Sequence, residues 1–404
     1  MDIRKNLQGH HRCSVAHDSA IPSLTINRLV KGIGVAMISL FLPIFLYEFF
    51  DFSIHWVLFW FLLVHLVKIP FYVPAAKLFS KIGLKMSMLF GTLALALFLV
   101  CFYLLSSGSS IDQNILLGST IIILIVHTTL YWCPFHIDFA TFSKRERRGR
   151  DVSFFYAFQM LIAVIAPLVG GLLIVRYGHN INFLVGLFFV VMSLIPLAYI
   201  PKTKVKYEFG FIETFKKMFD KRYCNMSYAM MANGAEELTS FSVWPIFLYV
   251  VFEGEYLEIG AFAAIIIVIS FLLHLFVGKM TDKKSKRGLV HTATWIYSLG
   301  WLAKSVVDSV IGVFVASTFH SFGGILLNTP RDALIYEQAA DAGHYIDEYT
   351  IIKEISLSIG RVLMMGLLIV ITCYFSIPVA FVIAAIVSLG MGRLSKQPHF
   401  SKSS

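Results

Sequence analysis

The chain has 404 residues, of which 57% are hydrophobic and 14% charged, with a mean hydropathy of +0.75. A soluble domain carries nearer a quarter of charged residues, so a water-soluble fold is excluded, and apolar runs of about 20 residues exclude a transmembrane barrel. The net charge of +10 would suit nucleic acid, but its placement along the chain argues for a lipid bilayer instead.

In chain order, residues 1–29 form a basic, mostly polar tail. The first apolar run is already of spanning length, so no signal peptide is expected. Six spans follow in residues 30–200: Val30–Phe49, Ile54–Pro74, Lys85–Ser106, Asn114–His136, Val152–Val175 and Ile181–Ile200. Residues 201–228 are a basic linker in which Phe211, Phe215, Met218 and Phe219 recur at helical spacing. That pattern fits a short amphipathic helix on the membrane surface or a plain charged linker. Six more spans occupy residues 229–393: Met230–Phe252, Leu257–Val277, Leu289–Val307, Ile311–Leu327, Glu348–Tyr374 and Ile377–Met391, followed by the tail 394–404. The expected fold class is therefore an all-α polytopic membrane protein with twelve transmembrane helices, here spans 1 to 12.

The charges test that count. Of the 34 Lys and Arg residues, 29 fall on one side of the bilayer in this arrangement. The exceptions are Lys68, Arg176, Lys304, Lys353 and Arg361. By the positive-inside rule the basic side is cytoplasmic, which places both termini inside a cell (inner) membrane. The five cysteines include no CxxC spacing, so reduced, structural thiols are expected, with no metal site and no cofactor.

The sequence also repeats. Pro43-Ile44-Phe45-Leu46-Tyr47 recurs as Pro245-Ile246-Phe247-Leu248-Tyr249, and the loop from Ala76 to Lys85 lies in the same register as that from Gly278 to Arg287. At a slightly shorter offset Gln159 aligns with Glu354, and Gly171-Leu172-Leu173-Ile174-Val175 with Gly366-Leu367-Leu368-Ile369-Val370. Each half has an even number of spans, so the halves are parallel repeats about an axis along the membrane normal. A substrate site is expected where they meet.

These residues resemble the major facilitator superfamily. Its signature between the second and third helix of each half is Gly-x-x-x-Asp-(Arg/Lys)-x-Gly-(Arg/Lys)-(Arg/Lys). The second copy keeps Gly278, Asp282, Lys283, Lys286 and Arg287, with Ser285 at the second glycine. The first copy is worn: Ala76 and Ser80 replace glycine and acid, and Lys81, Gly83 and Lys85 remain. The resemblance implies two six-helix pseudo-symmetric halves that alternate access to a central site. It implies a conformational latch at Gly278, Asp282, Lys283, Arg287, Lys81 and Gly83, with Asp282 near the start of span 5 around Arg150–Ser153. A solvated basic loop is the plainer reading of the same residues. Ala166-Pro167-Leu168-Val169-Gly170-Gly171 in span 5 is similar to the family's drug–proton antiporter motif, lacking its first glycine. A helix bent and packed by proline and glycine would look the same.

Ionisable groups cost roughly 2.5–3.5 kcal/mol at mid-span, so each needs a reason. They are His65, Lys68, His127, Glu236, Glu237, His320 and Arg361, and by the resemblance all lie on helices that can reach the central cavity. Lys304 is on a scaffold helix but close enough to the membrane surface to snorkel. Glu354, Ser358 and Arg361 share one face of span 11. Arg361 either holds an anionic group or pairs with Glu236 or Glu237. Those two carboxylates point about 100° apart, so at most one faces the cavity squarely. Glu236, Glu237 and Glu354 are the expected proton-coupling residues, with fixed ion pairs as the alternative. The expected substrate-binding residues are Arg361, His127, Gln159, His320, Tyr131 and Trp244. For His127 and His320 a buried neutral imidazole bonded to a carbonyl or hydroxyl is the competing reading.

The expected function is secondary active transport of a small organic solute by alternating access. Coupling to protons, an anionic or zwitterionic substrate, and a monomer in the lipid bilayer are expected with it. A multidrug/proton antiporter is the alternative within transport. A transport-fold receptor or lipid-handling protein without flux is the alternative outside it, favoured by the worn first loop. An enzyme is not expected, since no nucleophile–base or metal-ligand spacing occurs, and no phosphate-binding loop marks a primary pump.

Overall fold

The computed structural model describes the backbone of residues 3–142, 148–281, 286–341 and 345–396, and the side chains of 21–139, 141–142, 158–273, 286–339 and 345–396. Every structural statement below concerns these residues, and among them no strand occurs.

In the first half, α1 (Ile3–Ser39) and α2 (Leu42–Phe49) make span 1. Helix runs unbroken through the expected start at Val30, and Leu24 and Asn27 are already buried. α3 (Ile54–Ile82) is span 2 and α4 (Leu84–Ser106) is span 3. α5 (Gln113–His127), a π-helical turn (Thr128–Trp132) and α6 (Cys133–Phe142) make span 4. α7 (Arg148–Met192) carries spans 5 and 6, which divide at Gly178, whose φ of 82° breaks the helix. That positive φ is open to glycine without a Cβ clash, and α8 (Leu194–Ala198) completes span 6.

The linker folds as extended chain and then α9 (Phe211–Lys217). α9 takes in Phe211, exposed, and Phe215, half-buried, while Met218 just past its end is buried and Phe219 exposed, so the four apolar residues do not share one face.

In the second half, α10 (Cys224–Val251), α11 (Tyr256–Thr281), α12 (Lys286–Ser305), α13 (Val310–Asp341) and α14 (Ile346–Thr372) are spans 7 to 11. α15 (Pro378–Ser388) with the 3-10 helix Leu389–Lys396 is span 12. Nine described stretches are long and apolar enough to cross a membrane, and one of them, residues 158–198, holds two spans. Spans 7 and 9 complete the twelve and are less apolar for a visible reason. Their polar groups, among them Glu236 and Ser242 in span 7 and Thr294 and Ser298 in span 9, are turned inward and buried.

Two seams join the halves. Span 2 packs along span 11, and span 5 along span 8. In the second seam the backbones touch: a Cβ on Gly171 would sit 2.5 Å from the Tyr256 carbonyl oxygen, and one on Gly260 would sit 2.5 Å from that of Pro167. The proline–glycine segment of span 5 thus packs helix on helix, as small residues do inside bilayers.

Candidate functional site: a charged cavity between the halves

Between these seams lies a cavity of about 490 Å³, lined from spans 2, 4, 7, 10 and 11. Spans 1, 5 and 8 supply no described lining residue, although the resemblance allowed them to. The walls mix aromatic rings (Phe61, Tyr72, Trp132, Phe241, Tyr336) with seven formal charges: Lys68, Arg331, Lys353 and Arg361 against Glu237, Asp332 and Glu354.

Three ion pairs order most of that charge. Arg361 Nη2 stands 2.7 Å from Glu237 Oε2, joining spans 11 and 7. Lys353 Nζ lies 2.9 Å from Glu354 Oε1. Arg331 Nη2 lies 2.9 Å from Asp332 Oδ1, and Arg331 also donates to Asn233 Oδ1 on span 7. Two neutral contacts tie the halves across the cavity. The hydroxyls of Tyr72 and Ser358 meet at 3.1 Å, and the Tyr336 hydroxyl lies 3.0 Å from His136 Nδ1.

Of the residues expected at the site, the cavity brings together Arg361, Glu237 and Glu354. Six others lie elsewhere, each for a local reason. Glu236 points away from Glu237, as their 100° offset requires. Its Oε1 accepts from the Tyr297 hydroxyl (2.6 Å) and from Trp301 Nε1 (3.1 Å) on span 9. His127 Nδ1 lies 2.7 Å from the Gly91 carbonyl oxygen on span 3. His320 packs its ring on Tyr297 and Trp301, at centroid distances of 4.3 and 4.7 Å. Trp244 stacks on Phe247 and meets Phe381 edge-on. Gln159 is half-buried in span 5 and does not line the cavity.

Tyr131 is displaced by the π turn. A π-helical turn advances less per residue than an α-helical one and so shifts which side chains face inward. Tyr131 is turned onto span 1, where its hydroxyl donates to Asn27 Oδ1 at 2.7 Å, and its neighbour Trp132 enters the cavity instead. Ser87 of span 3 donates to the Leu130 carbonyl within the turn at 2.8 Å. Such turns recur at functional sites, but nothing in the apolar periodicity marks this one.

Lys304 does not snorkel. It is 4% exposed, with Nζ held 3.8 Å from the Trp244 ring centroid and 4.6 Å from that of Trp301. Two indole faces give the ammonium a favourable cation–π seat inside the bundle.

Of the expected latch, Asp282 and Lys283 lie outside the described residues, as do the surroundings of Gly278 and of Arg150–Ser153. Lys81 and Gly83 end span 2 on the basic face, and Arg287 begins span 9, where neighbouring Lys286 pairs with Glu337 of span 10. At the worn first copy, the linker occupies the loop. Ser80 Oγ accepts from the Tyr207 amide at 3.2 Å, and the Thr203 carbonyl accepts from the Leu84 amide at 3.1 Å. The linker then reaches the other half, where the Glu208 amide donates to Glu348 Oε1 at 2.7 Å.

The repeated Pro-Ile-Phe-Leu-Tyr segments meet on the opposite face. Tyr47 and Tyr249 lie with ring centroids 6.2 Å apart. Tyr249 donates to Glu48 Oε1 at 2.8 Å, His179 Nε2 lies 3.5 Å from Glu48 Oε2, and the same nitrogen lies 3.0 Å from the Tyr256 hydroxyl. Spans 1 and 7, span 8 and the break between spans 5 and 6 are thereby clasped together.

Sequence reading missed Lys353, Arg331, His136 and Tyr336 as cavity residues. Lys353 had a usable signal, since it precedes Glu354 and breaks the basic asymmetry.

A charged cavity between two packed six-helix halves is the arrangement expected of a membrane transporter. The sequence matches the family described as Major Facilitator Superfamily over residues 24–360, and the chain belongs to that superfamily. Comparison with curated protein sequences finds no match. Among solved structures, it is similar to a POT family transporter in complex with a thioalcohol conjugated peptide, at 12% identity and a TM-score of 0.67 over 92% of this chain and 94% of that one. It is also similar to the human organic anion transporter MFSD10 (TETRAN), at 9% identity and a TM-score of 0.67 over 94% and 99% of the two chains. A peptide transporter POT in complex with sulfate gives 10% identity and a TM-score of 0.67 over 93% of each chain. At these identities the likeness concerns the fold.

Proposed function

We propose that the protein is a secondary active transporter that moves a small, anionic or zwitterionic organic solute, coupled to protons, by rocking of residues 30–200 against residues 229–393 around the central cavity. One observation carries this reading: the cavity between the halves holds three ion pairs and a fourth cation. An intramembrane charge is costly unless it is paired or serves a substrate or ion path. The volume suits a small organic molecule. The solved relatives bind a peptide conjugate and sulfate or are named for organic anions, which agrees with a charged substrate.

Both faces carry groups suited to alternate access. The Glu48–Tyr249–His179–Tyr256 clasp can hold the face away from the basic loops, and the linker with the Asp282 loop can hold the basic face. The basic face is read as cytoplasmic, with both termini inside and the protein a monomer in the cell membrane.

Uptake into proteoliposomes, with and without a pH gradient, over a panel of organic acids, amino acids, dipeptides and cationic drugs tests the reading. Accumulation of an acid or zwitterion driven by the gradient supports it. Movement of cationic drugs against protons would replace it with an antiporter, and binding without flux for the whole panel would replace it with a receptor.

A further inference from the structure

Four cations and three carboxylates line the cavity, and the three ion pairs use one of each. Lys68 is left over. It is 2% exposed and has no ion pair or hydrogen bond among the described residues. Its nearest aromatic contact is the Tyr72 ring, with Nζ 5.6 Å from the centroid. One turn away along span 2, His65 also lines the cavity, 8% exposed, and its Nδ1 has no hydrogen-bond partner. Two unpartnered polar side chains thus face one wall, in a protein that pairs its other cavity charges.

A lone ammonium in that position is disfavoured for want of a counter-ion. A neutral amine avoids the penalty, and so does an ammonium facing an anion. We propose that Lys68 is the group that couples proton and substrate: the empty site holds a neutral amine, and a monoanionic organic acid binds together with one proton, forming a Lys68 ammonium–anion pair. This rests on the transporter reading above and names its substrate class and proton carrier.

The charge balances. The proton comes from water to the Nζ lone pair, the anion arrives with it, and both leave together on the other side, so one turnover moves no net charge. The groups around Lys68 fit this role. The carboxylates that share its cavity, Glu237, Glu354 and Asp332, are already paired with Arg361, Lys353 and Arg331. Arg361 adds positive charge to the same cavity, and His65 and Tyr72 are the neighbours of Lys68 on its own helix face. The result favours an incoming anion over a cation. The apolar part of the acid would lie on Phe61 and Phe241, which meet edge-on at 5.7 Å.

The test uses the full-length protein with a series of monocarboxylates from acetate to naphthoate, beside their amides and the matching amines. Thermal stabilisation reads binding, and a pH dye in weak buffer reads proton uptake. In wild type the acids are expected to stabilise and the amides and amines not to, with one proton taken up per acid bound. Lys68→Gln is expected to weaken acid binding about tenfold or more, the loss of one charge-assisted hydrogen bond. Lys68→Arg, always charged, is expected to keep binding while proton uptake and the pH dependence of affinity vanish. This second variant keeps the test valid if the first folds poorly. The proposal is overturned if no acid stabilises wild type, if acid binding takes up no proton, or if Lys68→Gln binds acids unchanged. Acid transport that persists in Lys68→Gln would sink the Lys68 assignment and leave the transporter reading intact. Acids that bind through Lys68 but are never carried across would sink the transporter reading instead.

Discussion

The Glu237–Arg361 pair allows a prediction with a built-in asymmetry. Its two side chains are unequally buried: Arg361 is 14% exposed and Glu237 55%. Glu237→Gln leaves a buried guanidinium without its carboxylate, a loss of about 3–5 kcal/mol where the remaining charge is well buried. Arg361→Gln leaves a carboxylate more than half open to cavity water, where a missing partner costs about 1 kcal/mol or less. The charge-assisted hydrogen bond between them should then give a coupling energy of about 1.5–3 kcal/mol in a double-variant cycle. The four proteins, wild type, each single variant and the pair, are compared by chemical unfolding in one detergent. Glu237→Gln should be the least stable, and the double variant should recover part of that loss. Equal single losses would show that burial does not set the cost, and a double loss equal to the sum of the single ones would show that the two groups do not form the pair.

Glu236→Gln should keep acceptors for Tyr297 and Trp301 and leave transport near wild type, whereas Glu236→Ala should destabilise by about 1–3 kcal/mol for the stranded donors; unfolding midpoints beside flux separate the two. Tyr249→Phe removes one hydrogen bond of the Glu48 clasp, about 0.5–1.5 kcal/mol. It should raise thiol labelling of a cysteine placed on that face several-fold, and unchanged labelling would mean that the clasp does not hold the face. Gly171→Leu forces the span 5–span 8 seam apart and should abolish transport while Gly118→Leu, at a glycine with open space around it, does not; equal activity of the two would deny that the seam closes during turnover. Asp282→Asn should slow turnover more than substrate binding, and normal turnover would dismiss the proposed latch.

The fold was legible because its signals are local and additive. Apolar runs of spanning length, basic loops on alternate sides and the repeat from Pro43 to Tyr47 and Pro245 to Tyr249 all survive without knowing how one helix faces another. The site was half legible. Arg361, Glu237 and Glu354 could be found because a charge in an apolar run needs a purpose wherever it points. His127, His320 and Glu236 looked the same by that test, but His127 and Glu236 are hydrogen-bonded to scaffold helices and His320 packs its ring on one.

The sequence by itself determined twelve spans, two parallel halves, the basic asymmetry and the set of residues able to carry charge into the membrane. Only the tertiary structure decided which of them share a cavity. One residue along a helix is a rotation of 100°, enough to send Glu237 into the cavity and Glu236 into the wall. One π turn sets Trp132 in place of Tyr131 at the same wall. Pairing is decided there too. Lys68 and Arg361 stand out in the sequence as mid-span cations, and Lys353 only as an exception to the basic asymmetry. Which of them have a counter-charge within reach depends on how the helices are rotated against one another.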